Sequence, residues 1–178
     1  MPTHDRRAPS TLDPQGEFPF DLTTYIFHLF AVLSRHREAM LEEAFRSLGL
    51  NVPRHRALGV VVRLEPCSMS ELADFSAVDR TTMTRTVDQL VAAGFVERQT
   101  PSRDRRQVLL TATAEGHAVH RRALQTVYRV NRRALDGLDE MTQRVVARAQ
   151  QSMLRNLIDD PKLLRGLLDL ARADADDD

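Results

Sequence analysis

Arg80, Thr81, Thr82, Thr84 and Arg85 crowd one short stretch of the chain. Hydroxyls and guanidinium groups gathered in the N-terminal half of a helix can read base edges and grip phosphates in a duplex groove. A second cluster, Arg103, Arg105 and Arg106, falls between two apolar runs. A guanidinium carried on a loop tip suits the narrow, electronegative minor groove. Asp104 sits among these arginines and would repel phosphate, so its expected task is to pair with one of them and fix the tip's shape. For both clusters the bland alternative is a solvated charged surface. The elements that carry them decide between the two.

Ser68 and Glu71 have capping-box spacing, which starts a short helix with Leu72, Ala73 and Phe75 on its apolar side. Ser76 and Ala77 mark a turn, and Asp79 is placed to cap a second helix. In that helix Met83, Val87, Leu90 and Val91 recur at three- and four-residue steps, one buried stripe. The arginines and threonines fall on the opposite face. Gly94 then supplies the residue that tolerates positive φ where a helix ends. Phe95–Gln99 and Val108–Thr111 are expected strands on either side of the arginine loop. A helix–turn–helix followed by a basic hairpin is a winged helix, whose second helix enters the major groove.

Several segments agree in order and spacing with a known family: SELA at Ser70–Ala73, VDRTTMTRTVDQL at Val78–Leu90, AGFVER at Ala93–Arg98, Asp104–Arg106, and the TAEG run Thr113–Gly116. Upstream, Leu48–Leu58 matches the family's approach to its second helix. From about Leu22 to Leu157 the chain resembles a MarR-family transcriptional regulator. It departs at Ala77, where the family usually has glycine, at Ala112, usually leucine, and at His55, often aromatic. The resemblance implies that Arg80 and the threonines meet phosphates and bases, that Arg106 leads the wing's contacts, and that the terminal helices interlace with a second copy. It also implies a cleft between dimer and DNA-binding regions, flanked here by His28, Arg35, His36, His55 and Arg56, that takes a small aromatic or lipophilic ligand. Interhelix salt bridges are the plain alternative for those five residues.

Composition sets the limits. At 178 residues and 42% hydrophobic content the chain can bury a core, and 5% aromatic content with no tryptophan makes that core aliphatic. Net charge is zero, but its distribution is uneven. Arg80–Arg106 holds six arginines against three carboxylates, whereas Asp159–Asp178 holds seven aspartates against three basic residues. Local fields matter more to DNA than the total. Only Lys162 among the basic residues is lysine. A single cysteine, Cys67, rules out an internal disulfide, and no apolar run reaches membrane-spanning length. The expectation is a soluble, cytoplasmic protein without a membrane segment.

The expected fold is mainly α with a small hairpin wing. Residues 1–18 are expected to be a disordered tail, 19–48 and 114–172 a helical dimerisation region, 49–113 the winged helix, and 173–178 an acidic tail. The first helix, from Asp21 to about Leu48, carries Leu22, Ile26, Leu29, Leu33, Met40 and Ala44 on one stripe, broadened by Tyr25, Phe27 and Phe30. So wide an apolar girth asks for two partners. Helices follow from Pro53 to Leu64, Thr113 to Leu135, Thr142 to Leu157, and a last short one after Pro161. The pattern calls for a homodimer, since two reading heads multiply affinity and sense a palindrome.

Cys67 is expected to be a small packed residue rather than a redox sensor, although it precedes a helix N-terminus. His117 and His120, with Glu115, do not assemble three or four ligands, so no metal is expected. No nucleophile motif, phosphate-cradling glycine loop or paired carboxylates appear, and neither an enzyme nor a cofactor is expected. The partners implied are double-stranded DNA, a second copy and a small-molecule effector. Alternatives are a winged-helix protein-interaction module without DNA binding and a metal- or redox-sensing regulator.

Overall fold

The computed structural model describes residues 21–76, 80–99 and 108–176. These fall into two units, one ending at His36 and a larger one starting at Arg37, so the division lies inside the first helix, α1 (Leu22–Phe45). In the first unit Asp21 caps α1, accepting from the Thr23 N–H at 3.0 Å through its carboxylate. Leu22, Tyr25, Phe27, Leu29 and Leu33 all stand exposed there.

In the second unit the end of α1 turns a different side inward from the one expected. Leu41 and Phe45 are buried and Arg37 is half-buried, whereas Met40 is exposed. Adjacent apolar pairs, Met40–Leu41 and Ala44–Phe45, leave two stripes open to the chain, and the one with Leu41 and Phe45 fills the core. A single 3-10 turn (Arg46–Leu48) follows, and Gly49 closes it at φ 68°.

The hub is α2 (Val52–Leu64), which packs on the helices and strand that follow it. Asn51 caps it, accepting from the Arg54 N–H at 2.9 Å, and Pro53 occupies the first turn. Ala57, Leu58, Val60 and Val61 are buried. Next comes an unexpected strand, β1 (Cys67–Ser68), which leads into α3 (Met69–Phe75). The capping box forms as predicted: the Glu71 N–H donates to the Ser68 hydroxyl at 3.2 Å, and the Ser68 N–H donates to Glu71 Oε2 at 2.8 Å. These bonds hold the Glu71 carboxyl below its ordinary pKa.

After residues 77–79, where the predicted Asp79 cap lies outside the described residues, α4 (Arg80–Ala92) buries Met83, Val87 and Leu90. Gly94 takes φ 73° and turns the chain into β2 (Val96–Gln99). β3 (Leu109–Ala112) pairs antiparallel with both neighbours in the order β1-β3-β2, with Cys67 opposite Leu110 and Val96 opposite Ala112. The sheet therefore has three strands where the hairpin alone predicts two.

Thr113 ties this sheet to α5 (Ala114–Ala134). Its hydroxyl accepts from the Gly116 N–H at 2.9 Å and donates to the Gly94 carbonyl at 2.6 Å. Val119, Ala123 and Val130 are buried along α5, Val127 is half-buried, and Ala134 is exposed. Asp139 caps α6 (Glu140–Leu157), which buries no residue. α7 (Pro161–Asp176) is 16 residues long, not the short helix expected, and packs on α3 and α6.

Candidate nucleic-acid interface

The two faces of α4 are chemically distinct. Inward, Met83, Val87 and Leu90 join the core, with Thr86 3% exposed beside them. Outward, Thr84 and Arg85 are exposed, and Thr82 is half-buried. Arg80 and Thr81 stand at the start of the helix. Among the described residues Arg85 makes no ion pair.

Two bonds that spacing did not disclose set the helix in place. The Arg54 guanidinium donates Nε–H to Gln89 Oε1 at 3.0 Å and a second bond to the Gly49 carbonyl at 3.0 Å, linking the start of α2 to α4. Arg98 on β2 pairs with Asp88 on α4 at 2.6 Å. That pair is largely exposed, so its contribution to stability is about 0–1 kcal/mol. Its geometric effect is to join the outward helix to the strand that leads toward the wing. Arg103, Asp104, Arg105 and Arg106 lie outside the described residues.

At the far side of the sheet, Gly116 is forced. A Cβ built on it would lie 2.0 Å from the Phe95 carbonyl oxygen. Thr113 through Gly116 is thus the joint where α5 closes on the strand after α4. Glu65, at the end of α2, completes the joint: it accepts from the Ala112 N–H at 2.7 Å and pairs with His117 at 2.9 Å.

A family model described as MarR family matches residues 48–107, the segment that holds α2, α3, α4 and the wing. The transcriptional repressor MprA of Escherichia coli K12 is 28% identical over 148 residues, 76% of this chain and 82% of its own length. Over this segment and in its fold the chain is similar to MarR-family transcriptional regulators. The solved regulator SlyA shares its fold at TM-score 0.70 and 24% identity, over 74% of this chain and 93% of SlyA. A MarR family protein of Mycobacterium tuberculosis, solved in complex with p-aminosalicylic acid, is 26% identical at TM-score 0.60, over 75% of this chain and 98% of that one.

The five expected pocket residues fall in two places. His28, Arg35 and His36 are exposed on the first part of α1. His55 and Arg56 are half-buried neighbours on α2. Arg56 pairs with Glu38 at 2.5 Å, the salt bridge that the plain alternative expects. The His55 ring packs on Phe45, with centroids 4.8 Å apart, and stacks on His120 at 5.9 Å. His55 Nδ1 is buried and has no hydrogen-bond partner among the described residues. Burial, followed by His120, Arg37 and Arg56, lowers the His55 pKa to about 4, so this imidazole is neutral at ordinary pH. Beside it the half-buried Arg37 donates Nε–H to Asn131 Oδ1 at 2.7 Å, across 94 positions of sequence. Burial and the neighbouring Arg56 lower its pKa, against the opposing Glu38.

Cys67 is fully buried in β1, and burial followed by the carboxylates of Glu71 and Glu65 pushes its thiol up to about 11. Among the described residues no three His, Cys, Asp or Glu side chains are placed to share a metal ion, and no helix is long and apolar enough to cross a membrane.

Proposed function

We propose that this regulator is a homodimer that binds a pseudo-palindromic operator and represses by occluding a promoter. The outward face of α4 carries that reading: exposed Thr84 and Arg85 are displayed over a buried Met83–Val87–Leu90 stripe. Such a face fits the major groove when carried on the second helix of a helix–turn–helix. In this proposal Arg103, Arg105 and Arg106 meet the adjacent minor groove, and Asp104 pairs with one of them.

Dimerisation is supported by apolar surface that the single chain leaves open. Leu22, Tyr25, Phe27, Leu29 and Leu33 are exposed in the first unit; on α6 Met141 is 69% and Leu157 72% exposed. Large apolar side chains left exposed along a helix mark an interface. A small aromatic acid or other lipophilic effector, drawn to the cationic groups near His55 and Arg56, releases DNA if it favours a conformation with the wrong spacing between reading heads. The p-aminosalicylic acid complex of the mycobacterial relative supports that class of ligand.

A gel-shift with DNA from upstream of the protein's own coding region, in excess non-specific duplex, tests the proposal. A shift that survives competitor supports it. Loss of every shift, with an intact fold, favours a protein-interaction module instead.

A further inference from the structure

The last helix packs against the reading head rather than only against its neighbour in sequence. Asp160 starts α7 by accepting from the Lys162 N–H at 2.8 Å, and Leu163, Leu164, Leu167 and Leu168 are half-buried. α7 meets α3, the first helix of the helix–turn–helix. The contact closes at one point: a Cβ built on Gly166 would lie 2.4 Å from Cε1 and 2.8 Å from Cζ of the Phe75 ring. Phe75 in turn packs against the core cluster that holds Leu72, Met83 and Val87. Phe75 is the last residue of α3, so a displaced ring shifts the end of α3 from which the chain passes on to α4.

We infer that α7 is a positioning element of the DNA-binding head, seated on α3 by the close fit of Gly166 to Phe75, and that this seat sets the orientation of α4 needed for operator recognition. Gly166 touches no DNA in this account; it acts through Phe75 and α3. The inference rests on the DNA-binding function proposed above.

The test compares dissociation constants of the full-length chain for a duplex selected by the wild type and for a non-specific duplex. Gly166→Ala adds the clashing atom while favouring the helical state of α7, because alanine has the higher helix propensity. Weakened binding is then not explained by melting of α7. Phe75→Leu removes Cε1 and Cζ, the two atoms in the way. The expected result is that Gly166→Ala weakens the selected duplex about tenfold, a cost typical of overpacking. Non-specific binding changes less than about twofold, since no charge is altered. Adding Phe75→Leu to Gly166→Ala restores most of the lost affinity. Wild-type affinity in Gly166→Ala, or a double variant no better than Gly166→Ala, overturns the seat. A wild-type chain that selects no duplex instead overturns the DNA-binding function itself, and this inference with it.

Discussion

Gly116 lies so close to Phe95 that any side chain at 116 would strike the Phe95 backbone, with 2.0 Å from Cβ to the carbonyl oxygen. Backbone cannot give way as a flexible side chain does. Gly116→Ala is therefore expected to lower unfolding free energy by about 3 kcal/mol or more, or to prevent folding. Urea titration followed by circular dichroism measures it. A variant as stable as wild type would show that α5 does not close on the sheet at this point.

The close approach of Gly116 to Phe95 was not legible in the sequence, whereas the start of α5 at Thr113 was, because a cap leaves a local residue signature. The Ser68–Glu71 box and the Met83–Val87–Leu90 stripe were legible for the same reason. β1 was not: two residues become a strand only by pairing with Leu109 and Leu110, more than 40 positions away. The inward side of α1 was misassigned because Met40–Leu41 and Ala44–Phe45 offer apolar residues on either side of the choice. The Arg37–Asn131 bond, the His55–His120 stack and the seat of α7 on α3 arise from distant segments, which no local period encodes. At the candidate interface the residue types were legible, whereas the bonds that orient α4, Arg54–Gln89 and Asp88–Arg98, were not.

His55 gives the fold an acid limb. Its pKa is lowered to about 4 in the folded chain and lies near 6.5 when unfolded. Between those values the unfolded chain holds a proton that the folded chain refuses. Stability is full above about pH 6.5 and declines as pH falls to about 4, by about 3 kcal/mol in total. His55→Phe keeps a ring against Phe45 and removes both the titration and the unpartnered Nδ1. Urea midpoints between pH 4 and 7 are expected to vary less in His55→Phe than in wild type. Parallel curves for the two proteins would sink this assignment.

Arg85 is exposed on α4, so Arg85→Ala is expected to leave stability within about 0.5 kcal/mol. Operator affinity should nevertheless fall by about tenfold, with a smaller salt slope if the contact is a phosphate or a changed base preference if it is a base edge. Arg106→Ala is expected to weaken binding to any duplex and to flatten the salt dependence by about one unit of slope. Fluorescence anisotropy over a salt series measures both. Unchanged affinity and slope in either variant would remove that residue from the interface.

Cys67 is buried, with its thiol pushed up to about 11, so little thiolate exists near neutral pH. The native protein is expected to resist a thiol-specific reagent at pH 7.5 and to react fully once unfolded in urea. Operator binding should survive peroxide that oxidises an exposed thiol. Rapid native labelling accompanied by loss of DNA binding would favour the redox-sensing alternative.

In the proposed complex two copies present α4 and the arginine loop to successive turns of one duplex. Selection of bound sequences from a random DNA pool tests it most directly. An enriched inverted repeat is expected, with half-site centres one helical turn apart, about 10 base pairs, or a multiple of that. Recovery of no common sequence, or of a single unrepeated half-site, would contradict it.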